Sequence, residues 1–406
     1  MSQTKAQLVS GTTSQDLTVD NINTSSINTG QPSGRKNLVI NGSMEVAQRG
    51  ATSTVSGYGC LDRFKTYFQG TDEAPTQEQV DIASGTTPYT LGFRKAFKLT
   101  NGNQTGGAGT SDAIQIQTTL EAQDMATSGW NYTSSSSFVT LSFWIKSSVA
   151  QNFYFYLRAN DGTSQSYPFE TGSLSADTWT KITKTIPGNT NVQFDNDVNA
   201  GLNLFFVAFY GTDFTNSGVT LNQWGAYTSG ARMPDFTSTW YTTNDSTLEI
   251  TGVQLEVGST ATDFEHMTFA EELALCQRYC YVIPYGGNST ASGGDEEHIQ
   301  GASAYNASAG VSGGNKSMVA MFTFPQPMRS TPSYTGSATN AKFRSSNTSN
   351  NFQLNGLSSM NNKTTPNNRS MTFSFTIGAP ASTDGSTAGF LEFNAAGGFV
   401  KFESEI

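Results

Sequence analysis

Between residues 139 and 146 apolar and polar side chains alternate strictly, with Val139, Leu141, Phe143 and Ile145 in one phase and Thr140, Ser142, Trp144 and Lys146 in the other. A period of two predicts a strand with one face turned to a core. FYFYLRANDG repeats the pattern, Phe153, Phe155 and Leu157 opposing Tyr154, Tyr156 and Arg158, before a turn at 160–162. LNLFFVAFY, at 202–210, is apolar in both phases and predicts a central strand covered on both sides. In TLEITGVQLEV the apolar phase slips at Gly252, from Leu248 and Ile250 to Val253, Leu255 and Val257, which predicts a β-bulge. Such runs recur from NLVINGSMEV at residue 37 onward with turn residues between them, the pattern of an antiparallel sandwich.

The period changes once. Thr268 and Glu271 form a T-x-x-E capping box, in which each side chain satisfies a free amide of the first helical turn. Phe269, Leu273, Cys276 and Cys280 follow at spacings of four, three and four, and Pro284 stops the segment, so a short helix with one apolar stripe is expected over about 268–281. Beyond it come the polar stretch YGGNSTASGG and further strand-like runs, SMVAMFTF, RSMTFSFTIG, AGFLEFN and GFVKFESEI. The expected organisation is all-β: an extended leader over 1–35, a β-sandwich over 36–266, a connector helix over 267–284 and a smaller β-domain over 285–406. The leader has only Leu17, Val19, Ile22 and Ile27 as apolar anchors, too few for a core of its own. It is expected to order against partners, either identical copies in a homotrimer or a larger particle.

Composition narrows the partners. The chain has 406 residues, 13% charged and 12% aromatic with 40 Gly, so turn formers and strand formers dominate together. A formal charge of -10 without any run of Lys or Arg argues against nucleic acid. The longest apolar stretch falls far below the roughly 20 residues of a membrane span, and the N-terminus has no apolar signal region, so neither membrane insertion nor secretion is expected. Cys60, Cys276 and Cys280 make no disulfide framework and fit folding in a reducing cytoplasm.

KNLVINGSMEVAQRG, the CLDRF after it, LSFWIKSS, DTWTKITKTIPG, ITGVQLEVGSTATDFEHMTFAEELALCQRYC and FPQPMRSTPSYT resemble, in this order, a family of bacteriophage tail-fibre and virion-surface proteins. The resemblance covers about residues 36–283 and the last short segment. It implies a jelly-roll like that of carbohydrate-binding modules, trimeric assembly, a leader that docks on other tail or fibre proteins of the virion, and a host cell-surface glycan as partner. It also raises calcium: in such modules an early Asn-Gly-x-Phe-Glu segment supplies a Glu and a late strand an Asp. Glu45 matches the first, but Ile250, Thr251, Gly252 and Val253 stand where the second is expected and hold no carboxylate. Calcium takes six to eight oxygens, so Glu45 is the single named ligand and no other cofactor is expected.

Catalysis finds little support. The histidines are His266 and His298, and no nucleophile elbow, metal signature or phosphate loop occurs. The densest acidic point, DEEH at 295–298, sits in a Gly-rich stretch. A non-enzymatic fibre or adhesin is therefore the first reading, with a tailspike-type polysaccharide depolymerase, which needs only two carboxyl groups, and a head or tail decoration protein as alternatives. Trp144, Tyr154, Tyr156 and Arg158 fall on the polar phase of successive strands, where rings and a guanidinium can hold a sugar or pack against protein. Asp62 and Arg63 in CLDRF read as an internal ion pair or turn lock. The 285–406 domain, rich in Asn, Ser and Gly, is the expected host-contact tip.

Overall fold

The computed structural model describes residues 35–284, 298–299, 316–336, 341–345, 351–353, 361–362, 368–377, 389–393 and 399–406. The expected leader, apart from Arg35, lies outside the described residues, as do YGGNSTASGG, the acidic residues 295–297 and most of TSNNFQLNG and MNNKTTPNN.

Twelve strands build a two-layer sandwich. They are β1 (Thr52–Ser53), β2 (Phe64–Gln69), β3 (Thr76–Asp81), β4 (Lys95–Thr100), β5 (Ala113–Glu121) and β6 (Phe138–Ser147). Then follow β7 (Asn152–Ala159), β8 (Gln165–Ser173), β9 (Thr180–Pro187), β10 (Ala200–Tyr210), β11 (Gly225–Ala226) and β12 (Thr247–Val257). One sheet runs β1-β3-β4-β12-β6-β9 and the other β11-β8-β7-β10-β5-β2. All pairings are antiparallel. The predicted alternation is realised where the layers meet: Phe143 of β6 faces Phe155 of β7 and Phe206 of β10, with ring centroids 5.7 and 5.1 Å away. Strand β10 is buried from Gly201 to Tyr210, as its two apolar phases require.

The slip at Gly252 is a bulge. The register of β12 on β6 shifts between Thr251 and Gln254, and Gly252 adopts φ +63°, where a Cβ would fall 2.7 Å from the Phe93 ring. Beyond the bulge β12 leaves β4, and the 37–42 segment takes the vacated edge: Leu38 N donates to Leu255 O and Val253 N to Gly42 O, both at 2.9 Å. Asn37 completes the seam, its amide donating to Val253 O (3.0 Å) and accepting from Leu255 N (3.1 Å).

The connector helix spans Phe269–Gln277. Glu271 N donates to Thr268 Oγ1 (3.4 Å) and Thr268 N to Glu271 Oε2 (3.0 Å), the reciprocal pair of a capping box. The expected apolar stripe needs correction. Phe269 is 59% exposed, Leu273 is half-buried and Cys280 belongs to a strand. The first turn projects past the surface on which Cys276 packs with Ile40, Val46 and Tyr279. The buried position in that turn is Glu272, whose carboxylate accepts Asn41 N.

After the helix come β13 (Cys280–Pro284), β14 (His298–Ile299), β15 (Lys316–Thr323), β16 (Ser333–Gly336) and β17 (Ala341–Ser345). The chain ends with β18 (Asn351–Gln353), β19 (Asn361–Asn362), β20 (Ser370–Ile377), β21 (Gly389–Phe393) and β22 (Phe399–Glu403). They form sheets β13-β22-β16, β14-β21-β17-β18 and β15-β20-β19. The first brings the last residues of the chain back beside the connector, Cys280 pairing with Glu403 and Pro284 with Phe399.

Candidate functional site

Residues from four of the motifs converge on one buried clasp. Arg49 donates to Asp62 (2.9 Å), Glu403 (3.0 Å) and Glu405 (2.8 Å), and its side chain is 3% exposed. Arg63 pairs with Glu405, donates to Thr119 O and lies over the Tyr279 ring, 3.5 Å from its centroid. Arg278 grips Glu121 through Nε and Nη2, both at 2.7 Å, while the Tyr279 hydroxyl adds a third bond at 2.5 Å. Arg329, from FPQPMRS, donates to the carbonyls of Ser404, Glu405 and Val198. Asp62 and Arg63 are internal, each paired with a distant partner rather than with the other. Burial pushes the Asp62 carboxyl up to about 7 against the pull of Arg49. Burial acts the same way on Glu121, but the bonds from Arg278 and Tyr279 outweigh it and hold that carboxyl below the usual range. Burial also raises the thiols of Cys276 and Cys280 well above their ordinary range. Apart from Arg63 Nε, which has no hydrogen-bond partner, the charged groups named here are taken up by other protein groups, so the clasp is scaffold.

The four expected glycan contacts do not make one platform. Strands β6 and β7 belong to opposite sheets, so Trp144 lies on the outer side of one layer and Tyr154, Tyr156 and Arg158 on the outer side of the other. Trp144 packs against a cluster of Ile82, Phe93 and Ala96. Tyr156 is 1% exposed, its ring stacked 4.2 Å from Phe205. Tyr154 meets Phe236 edge-on at 5.4 Å. The Arg158 guanidinium sits 3.8 Å from the Tyr227 centroid and its Nε donates to Ser164 Oγ (2.9 Å). Trp144, Tyr154 and Arg158 are half-buried, and Tyr156 is buried.

Glu45 stands among positively charged neighbours. Burial raises its carboxyl pKa, while Lys95 and the backbone amide of Arg94 act on it from the other side. Thr251, at the position of the missing carboxylate, gives its hydroxyl to Lys95 O (2.8 Å). Among the described residues no three Asp, Glu, His or Cys side chains group as ligands.

Concave, accessible polar surface lies instead at the edge of the sandwich. A groove of about 680 Å³ opens between β8 and β11 on one side and the turn after β9 on the other. Its walls include Tyr132, Trp224, Thr163, Thr190, Asn191 and Gln193. The turns are tied to one another: Asn189 N donates to Tyr132 O (2.8 Å) and Gly188 N to Ser137 O (2.8 Å). Trp224 Nε1 donates to Pro187 O (2.7 Å) and its ring lies 5.4 Å from Tyr167. Tyr132 rests edge-on against Phe194, 4.9 Å away. Asn191 N donates to Asn189 Oδ1 (2.9 Å), leaving its side chain exposed. No Lys, Arg, Asp, Glu or His lines the groove. Two ring walls with hydroxyls and carboxamides between them can hold a polyhydroxylated ring by apolar contact and directed hydrogen bonds. Sequence reasoning missed these residues because they stand on turns; an isolated Trp in the polar stretch LNQWGAY was the available signal.

Neither a protein-family model nor a curated protein matches the chain. Solved structures do. The enzymatically active domain of tailspike protein 4 of bacteriophage CBA120 aligns over 55% of this chain at 12% identity with a TM-score of 0.28, the match spanning 21% of that chain. The N-terminal cellulose-binding domain of Cellulomonas fimi β-1,4-glucanase C aligns over 53% of this chain and 99% of its own, at 11% identity and a TM-score of 0.26. A xylan-binding domain from Paenibacillus barcinonensis aligns over 56% and 100%, at 9% identity and 0.26. At such TM-scores the reading of the groove rests on its own geometry.

Proposed function

We propose that the chain is a non-enzymatic component of a phage virion, a tail fibre or adhesin, and that a host surface glycan sits in the groove between β8, β11 and the turn after β9. The observation that carries the binding role is the groove itself: ring walls from Tyr132 and Trp224 joined by neutral hydrogen-bonding side chains, among them Asn191 and Gln193. The virion role is supported by the ordered motifs that resemble tail-fibre proteins, and the homotrimer by the sparse anchors of the leader.

The test is to titrate the full-length chain with host envelope polysaccharide while assaying reducing ends. Saturable binding that Tyr132→Ala and Asn191→Ala each weaken, with no new reducing ends, is the expected result. Release of reducing ends identifies a depolymerase instead. A failure to bind leaves a spacer or decoration protein, and a monomeric mass for the full-length chain removes the trimer.

A further inference from the structure

We propose that the groove selects uncharged glycans, with Asp161 and Asp195 as specificity-determining residues that orient Gln193 and turn acidic sugars away; this deepens the glycan-binding reading and rests on it. Gln193 Nε2 donates to Asp195 Oδ1 (3.1 Å), and Asp195 N donates in turn to Asp161 Oδ2 (2.9 Å). With one of its two amide N–H groups held in this way, Gln193 keeps Oε1 as an acceptor beside the other N–H. That oxygen lies beside Gly162, at φ +60°, where a Cβ would come within 2.6 Å of it. The rim is therefore built to accept a hydroxyl proton.

A neutral sugar supplies such protons all round its ring. A uronate or sulfate group supplies none and brings a negative charge toward Asp161, Asp195 and Asp197. Burial is the main cause that raises the Asp161 carboxyl pKa, the Asp195 amide lowers it, and the charges of Asp195 and Asp197 add smaller upward pushes. Within a Debye length of about 8 to 10 Å this repulsion is only partly screened. The Arg158 guanidinium, on an interior strand of that sheet, is turned onto the Tyr227 ring and bonded to Ser164.

The experiment uses the full chain and a panel of neutral hexose and pentose oligosaccharides, each matched with the uronate of the same length and linkage. Binding is read by calorimetry and by tryptophan fluorescence, with Trp224→Phe to assign the signal. At least one neutral member should bind about tenfold tighter than its uronate at low ionic strength, a free-energy gap of about 1.4 kcal/mol, and the gap should narrow in high salt. The isosteric double variant Asp161→Asn with Asp195→Asn should close the gap by strengthening the uronate relative to its neutral partner, at least about fivefold. Uronates that bind as well as their neutral partners, or a gap unmoved by the double variant, overturn the selectivity and leave glycan binding standing. If no member of the panel binds, both readings fall.

Discussion

The clasp and the groove lie on the same sandwich and are both polar, yet they are assembled from opposite materials. In the clasp, Arg49, Arg63 and Arg278 are held by Asp62, Glu121, Glu403 and Glu405, charges withdrawn from water and paired across long stretches of chain. In the groove, Thr163, Thr190, Asn191 and Gln193 are uncharged, stand on turns and face solvent. A buried charge is tolerable only when its partners are fixed, so the clasp demands particular residues, and its four arginines, Asp62 and Tyr279 fall in the motifs that carry the tail-fibre resemblance while Glu121, Glu403 and Glu405 do not. A ligand groove asks only for shape and a few donors and acceptors on a steady frame. Density of motif therefore marks the frame here, and the chemistry that meets other molecules lies between the motifs.

The largest way to break this contrast is Arg63→Ala. Removing Arg63 takes away one of the two guanidinium partners of Glu405 and the donor to Thr119 O and should cost about 3 to 5 kcal/mol in denaturant unfolding, while the fraction that remains folded binds glycan as before. An unchanged unfolding midpoint would remove the clasp from the scaffold. Gln193→Ala is the converse: about a tenfold loss of glycan affinity, or about 1.4 kcal/mol, with stability within about 0.5 kcal/mol of the parent. A large loss of stability there would make Gln193 part of the frame. Thr268→Ala removes the helix cap and should lower stability by about 1 kcal/mol, measured by thermal unfolding, without touching the groove. The finest effect is a slope. The folded Asp62 carboxyl, at about 7 against an ordinary 3.8, holds its proton to higher pH than the unfolded chain does. Its contribution to stability therefore falls as pH rises through that window. Asp62→Asn should flatten the dependence of melting temperature on pH between those limits, and a slope that survives must come from other groups.

The strands of the sandwich were legible because burial on one face imposes a period of two, and the bulge because Gly252 marks the point where that period slips. The cap on the connector helix was legible because Thr268 and Glu271 act over a single turn. Alternation reports which face of a strand is apolar but not which sheet the strand joins, so Trp144 and Tyr154 read as neighbours and lie in different layers. Helical spacing gave the stripe but not where the supporting surface stops, so Phe269 was expected inside. Glu405 meets Arg49 across 356 positions, a pairing that no local pattern encodes. The groove was hidden for a related reason: turn residues have no period, and its walls come from four separate turns.

The three-stranded sheet β13-β22-β16 has a consequence for variation in length. The chain leaves it after Pro284, returns at Ser333, leaves again after Gly336 and returns at Phe399. Both departures begin and end on one fixed platform, secured by Arg329 and the paired glutamates. Lengthening a flexible loop between fixed ends raises its closure cost only logarithmically, by about 0.6 kcal/mol for each doubling. Because both departures carry strands of the other two sheets, it is the connections between those strands whose length can change at this low cost while the platform beneath keeps nearly the same stability.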